Sequence, residues 1–349
     1  MHQPTANPSF GLSSPCGRLL LSLALLGPST TLAKTPPPIV NGQTESGFES
    51  VVGLGIGTTD QAFTTCTGNL ITPRIVLTAA HCGSDVSLDL VVQYGKAFFG
   101  TSTEDLVAAL PLSDAMIHPE YEPLTGQSYG QYDAGILVLA EDAPFTPSPL
   151  WQDRLNKVDP GTEMLSVGWG TDSGQGDGQS GVKRSAELTL DSKTEMFLIS
   201  RSFTNPNQAN ICSGDSGGPQ FLEANGEWTQ AAIHSWGDVD CTTKGGSTRV
   251  DAVMPWILEQ VDSVHGSTDF CELNGRYDNG ICETHCEQPD PDCSSDTGDT
   301  GTEPESEVGG CACSSTESKS HWLLFFLPLL AWSRRAKSPS PLPNTTPNR

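Results

Sequence analysis

Three short segments of the chain hold a base, a carboxylate and a nucleophile. They read Leu77-Thr78-Ala79-Ala80-His81-Cys82, Tyr132-Asp133-Ala134-Gly135-Ile136-Leu137 and Cys212-Ser213-Gly214-Asp215-Ser216-Gly217-Gly218-Pro219. A serine hydroxyl is a weak nucleophile at neutral pH and needs a base to take its proton during attack. Histidine suits that task because its ordinary pKa lies near neutrality. A buried carboxylate fixes the imidazole tautomer and stabilises the imidazolium that forms. Glycines on both sides of Ser216 let the backbone turn sharply, so that the N–H groups of Gly214 and Ser216 can face one oxygen and stabilise its charge. The chemistry on offer is acyl transfer, with His81 as base, Asp133 as its orienting carboxylate and Ser216 as nucleophile.

Residues so far apart in sequence need a fold that brings them together. From Ile39 to about Asp262 the chain consists of short apolar runs broken by Gly, Pro, Asn and Asp. Examples are Ile75-Val76-Leu77, Ile136 to Leu139 and Ala231-Ala232-Ile233. Runs of this length predict antiparallel strands in a sandwich or barrel. Near the end, Trp256, Ile257, Val261 and Val264 fall near helical spacing and predict a helix over Val253 to Val264. The fold class is therefore all-β with a late helix.

The order His, Asp, Ser, with TAAHC and GDSGGP around the first and last, resembles the trypsin/chymotrypsin family of S1 serine peptidases over roughly residues 39–262. Ile39-Val40-Asn41-Gly42, His118-Pro119-Glu120-Tyr121, Val167-Gly168-Trp169-Gly170, Ser235-Trp236-Gly237 and Thr248-Arg249-Val250 add to the resemblance. It implies two six-stranded antiparallel β-barrels, with His81 and Asp133 on the first and Ser216 on the second. It implies disulfides Cys66–Cys82 and Cys212–Cys241, and catalysis without a cofactor. It also implies activation by cleavage, after which the freed Ile39 amine pairs with Asp215. Here Pro38 precedes Ile39, where the family usually has Arg or Lys, so another protease is the expected activator. The resemblance places the substrate pocket at Asn210, Ser235, Trp236, Gly237 and Gly245. Asn210 stands where trypsin-like enzymes carry Asp, which argues against Arg or Lys as the cleaved residue. An open, uncharged pocket favours large apolar side chains.

The whole chain has 349 residues and a formal net charge of −24. So acidic a chain lacks the Lys and Arg needed to displace counterions from nucleic acid. Of its 11 cysteines, Cys16 lies in a segment expected to be removed, and the others form an even set suited to an oxidising compartment. Arg18 precedes the apolar run Leu19 to Leu26, and Thr31-Leu32-Ala33 fits a signal-peptide cleavage site. Residues 1–33 are thus expected as a signal peptide, 34–38 as a short propeptide, and the protein as secreted.

Beyond the catalytic region, residues 271–293 read as a Cys-rich module too small to bury a core alone. Asp278, Asn279, Asp290 and Asp292 offer the oxygen ligands that suit Ca²⁺. Zinc through the cysteines is the rival, and a disulfide-stapled spacer without metal is an equal alternative. Residues 294–310 have linker composition. Residues 311–337 resemble a bacterial C-terminal sorting signal of the MYXO-CTERM type, with an apolar stretch at 322–332 and basic Arg334, Arg335 and Lys337. That stretch is short of the ~20 residues of a full membrane span. It is expected to give transient membrane association and cell-surface attachment.

Overall fold

The computed structural model describes residues 39–293, apart from 85, 126–129, 176–177, 202–208, 225 and 283–285. The expected signal peptide, propeptide, linker and sorting signal lie outside the described residues. After a two-residue strand β1 (Gln43–Thr44), strands β2 (Val51–Thr58), β3 (Gln61–Thr72), β4 (Ile75–Thr78), β5 (Gly95–Ser102), β6 (Asp105–Ile117) and β7 (Gly135–Leu139) form a closed barrel in the order β2-β3-β4-β7-β6-β5. Six further strands follow: β8 (Glu163–Gly168), β9 (Arg184–Lys193), β10 (Phe197–Arg201), β11 (Pro219–Ala224), β12 (Glu227–Gly237) and β13 (Lys244–Arg249). Their order is β9-β10-β13-β12-β11-β8, and pairing of β8 with β9 closes the ring. Strand β1 adds to the edge of β9 through Gln43↔Ser185 and Thr44↔Arg184. Closure removes free strand edges in both barrels.

Two short helices, α1 (His81–Ser84) and α2 (Leu88–Tyr94), follow β4. The late helix α3 spans Val250–His265, starting three residues before the periodicity suggests. Its Val250, Val253, Trp256, Ile257 and Val261 are buried against Ile71, Ile75, Ile136 and Ile233, so it seals the ends of strands from both barrels. Gly266 ends it in the left-handed conformation at φ 72°, which suits glycine.

The 271–293 segment does not stand apart from the barrels. Helix α4 (Phe270–Leu273) buries Phe270 in the same core as α3. Asn274 donates to the Ile71 carbonyl at 3.0 Å, and Arg276 makes two bonds to Glu227 at 3.1 and 2.9 Å. Disulfides Cys271–Cys286 and Cys282–Cys293 staple the rest. A segment without a core of its own thus uses the core of its neighbour.

Candidate active site

Strand pairing brings His81 and Asp133 together. Strands β4 and β7 are paired through to Thr78↔Gly135. His81 begins α1 just beyond Thr78, and Asp133 lies just before Gly135. Asp133 Oδ1 accepts the backbone N–H of His81 at 3.0 Å, and Oδ2 lies 2.7 Å from His81 Nδ1. This two-point grip fixes the ring against the carboxylate and leaves Nε2 as the other working nitrogen. Asp133 is only 4% exposed, while His81 is partly open to solvent. Ahead of Asp133, Tyr132 takes a φ of 49° and stacks on His118 at 4.7 Å, which holds the turn that aims the carboxylate.

The second barrel supplies Ser216 from the turn that leads into β11. Gly214 and Gly217 on either side have φ of 94° and 82°, where a side chain would be strained. A Cβ on Gly217 would also stand 2.0 Å from Thr78 Oγ1 and 2.4 Å from the Thr67 carbonyl. Glycine here lets the nucleophile turn press onto the strand that leads to His81. Thr67 joins the halves: its N–H donates to the Ser216 carbonyl at 2.8 Å, and its hydroxyl donates to the Gly214 carbonyl at 2.8 Å. Cys82, paired with Cys66, places its Sγ 3.5 Å from the same Ser216 carbonyl. Among the described residues, the N–H groups of Gly214 and Ser216 have no backbone acceptor.

The structure places Ser235, expected as a pocket residue, in a second position as well. Its hydroxyl donates to Asp133 Oδ2 at 2.6 Å, from the second barrel to the carboxylate of the first. Sequence reasoning missed this role and that of Thr67. The SWG pattern was the available signal for Ser235; nothing local marks Thr67.

Asp215 is fully buried. Its Oδ1 accepts the N–H of Gly170 and its Oδ2 the N–H of Cys212, both at 2.8 Å. Gly168 and Gly170 lie so close that a Cβ on either would fall within 2.6 Å of this carboxylate. Burial pushes the Asp215 pKa up to about 7, against those two hydrogen bonds and the nearby Arg184. Ile39 is 1% exposed, and Val40 pairs with Asn210.

A cavity of about 290 Å³ opens beside Ser216, with Ile211, Cys212 and Ser213 on one side and Ser235, Trp236 and Gly237 on another. Its wall also carries His234 and Asp238. Asn210 and Gly245 lie behind this lining, where the Asn210 side-chain oxygen accepts the Ile211 N–H at 3.0 Å. A Cβ on Gly245 would meet Ile211 at 2.8 Å. The expected disulfide Cys212–Cys241 is formed beside the cavity. Asp238 accepts the N–H groups of Thr242, Thr243 and Lys244, which hold its carboxylate below the usual range despite partial burial.

Among the described residues, the carboxylates of Asp278, Asp290 and Asp292 do not converge on one point. Asp290 Oδ1 accepts the Asp292 N–H, and Asp292 Oδ2 accepts the Gly280 N–H, so these oxygens close loops. Cys66, His81 and Cys82 lie close together, but both sulfurs are spent in a disulfide. Among the described residues, no helix is long and apolar enough to cross a membrane.

Residues 39–257 match the family model described as Trypsin. Over 220 residues the chain is 29% identical to spermosin of Halocynthia roretzi, covering 59% of this chain and 56% of that protein. The chain thus spans little more than half the length of that relative. The family model covers more than half of the chain, and its match coincides with the two barrels and the His81–Asp133 pair: the chain belongs to the trypsin family.

Proposed function

We propose that the chain is a secreted serine endopeptidase that hydrolyses peptide bonds through an acyl-enzyme at Ser216. The observation that carries this reading is the two-point bond between His81 and Asp133, reinforced by the Ser235 hydroxyl. His81 takes the Ser216 proton during attack and returns it to the leaving amine. The N–H groups of Gly214 and Ser216 hold the oxyanion of the tetrahedral intermediate. Asp133 fixes the ring through its bonds to the His81 N–H and Nδ1.

Cleavage ahead of Ile39 switches the enzyme on. The new ammonium pairs with Asp215, a carboxylate bonded so far by two neutral N–H donors. Because Pro38 precedes the cut, a separate protease makes it. Asn210 behind the substrate cavity, in place of a carboxylate, disfavours Arg and Lys as the cleaved residue. Four disulfides among the described residues fit an extracellular site of action. The 311–337 segment then holds the protein transiently at a bacterial cell surface.

A fluorophosphonate probe tests the reading. It is expected to label the chain once cut ahead of Ile39, and Ser216→Ala is expected to abolish both labelling and peptide hydrolysis. Labelling that survives Ser216→Ala would refute the assignment.

A further inference from the structure

The first barrel is not filled where α2 crosses it. An apolar cavity of about 410 Å³ lies there, and it shares no lining residue with the cavity beside Ser216. Leu54, Leu112, Ala115 and Leu137 of the barrel, Leu88 and Val91 of α2, and the Cys66–Cys82 disulfide line it. Its volume falls in the range of small-ligand sites.

Helix α2 is built to cover something that the chain itself does not supply. Leu88, Leu90, Val91, Val92 and Tyr94 fall within its seven residues, yet none of the seven is buried. So short a helix takes its stability from burying an apolar face. Gly83 of α1 gauges the gap beneath it. A Cβ on Gly83 would meet Leu88 at 3.4 Å and Val91 at 3.8 Å, ordinary contact distances. At the rim, Ile56, Val86, Leu90 and Tyr94 remain exposed. Protein interiors hold few voids larger than a water molecule, so a space of this size calls for an occupant.

The lining says what that occupant is. Among the described residues, none of the buried polar side-chain atoms that lack a partner belongs to this cavity. The Thr78 hydroxyl already donates to the Thr67 carbonyl at 2.8 Å. A polar group placed inside would lose its bonds to water and gain none, whereas an alkyl chain loses nothing. The one charged residue on the lining is Lys96 of β5, and among the described residues no carboxylate pairs with it. In a chain of net charge −24, a cation without a carboxylate beside an apolar cavity favours an anionic head. An alkyl tail with a carboxylate at its end is a fatty acid. One cavity takes one tail, where a phospholipid would bring two.

We propose that the first barrel binds a free fatty acid under α2, its tail among Leu54, Leu112 and Val91 and its carboxylate at Lys96. Ala79, Cys82 and Gly83 of the same lining flank His81, so the ligand rests against the segment that carries the base. The site needs no chemistry at Ser216 and stands apart from the peptidase reading.

Calorimetric titration of the full, uncut chain tests it, with the sodium salts from hexanoate to dodecanoate below their micelle concentrations. Affinity is expected to rise ~fourfold per added methylene and to level off once the tail fills the cavity. Decanoate is expected to bind ~fivefold tighter than decanol, and Lys96→Met to erase that preference. Gly83→Leu puts a side chain into the gap under α2 and is expected to weaken decanoate by ~10-fold or more. If that variant does not fold, the tail-length series and Lys96→Met decide. Failure of every acid to bind, affinity indifferent to tail length, or unweakened binding by folded Gly83→Leu overturns the proposal. So does retention on phosphatidylcholine vesicles without binding of free acid, which would make this face a membrane contact. A dimer in sedimentation that binds no acid and dissociates in Leu90→Glu would overturn it too, and assign the face to a second copy. Labelling of Ser216 by a fluorophosphonate is indifferent to all of these outcomes.

Discussion

The two barrels meet at the site with different interiors. In the first barrel, Leu54, Leu70, Val76, Phe99, Leu137 and Leu139 fill the core, and among the described residues the one buried acid is Asp133. Its bonds to His81 lie within the same barrel. In the second, Lys183, Arg184, Asp215, Arg249 and Asp251 are all buried. Arg249 and Asp251 satisfy each other at 2.7–2.9 Å, and Lys183 donates to the Phe48 carbonyl at 3.0 Å. Among the described residues, Asp215 has N–H donors but no cation bonded to it. The difference assigns roles. The first barrel presents a base and carboxylate bonded to each other at two points. The second holds Asp215, the carboxylate that the proposed cut ahead of Ile39 would pair with an ammonium.

That contrast is breakable by substitution. Asp133→Asn attacks the locked half. It keeps the shape but favours the wrong tautomer of His81, and a loss of ~10⁴-fold in kcat is expected. Steady-state kinetics on the cut chain measure it; a loss below tenfold would mean that the pair is structural only. Ser235→Ala tests whether the second barrel supports that lock. Removing one hydrogen bond to a charged group is worth ~1.5–3 kcal/mol, so a loss of ~10- to 100-fold is expected, chiefly in kcat. An unchanged kcat would make Ser235 a pocket residue alone.

The switched half is best sharpened by pH. The Asp215 pKa is raised from 3.8 to about 7 in the uncut chain, so the folded state holds a proton that the unfolded state has lost. Its contribution to stability is full below about pH 4 and is lost as pH rises through about 7. Uncut chain is therefore expected to lose stability across that interval. The cut chain, with an ammonium beside Asp215, is expected to lose less. Urea unfolding of both forms at several pH values checks this, and parallel profiles would contradict it. A last effect, on stability alone, concerns Cys66–Cys82, which closes a span of 16 in sequence beside His81. Replacing both cysteines by alanine is expected to cost ~3 kcal/mol in unfolding free energy while leaving the His81–Asp133 bonds in place.

The sequence made the strands around His81, Asp133 and Ser216 legible, because each motif sits at the end of a short apolar run. It also showed the late helix, since Trp256, Ile257, Val261 and Val264 keep helical spacing. What it hid are contacts between distant strands. Thr67 and Ser247 are ordinary strand residues, and only pairing across barrels or along β12 and β13 puts them against Ser216 and His234. His234 itself reads as one more residue of a half-buried strand. The docking of 271–293 was hidden for the same reason: Phe270 finds its core on α3 and β3, far away in sequence.

One measurement tests the division of labour most directly. Fluorophosphonate labelling of Ser216 and the low-field NMR signal of the His81 Nδ1 proton are followed together while the chain is cut ahead of Ile39. The account predicts the His81 signal in both forms and rapid labelling only after the cut. Equal labelling of uncut and cut chain, or a His81 signal that appears only on cutting, would contradict it.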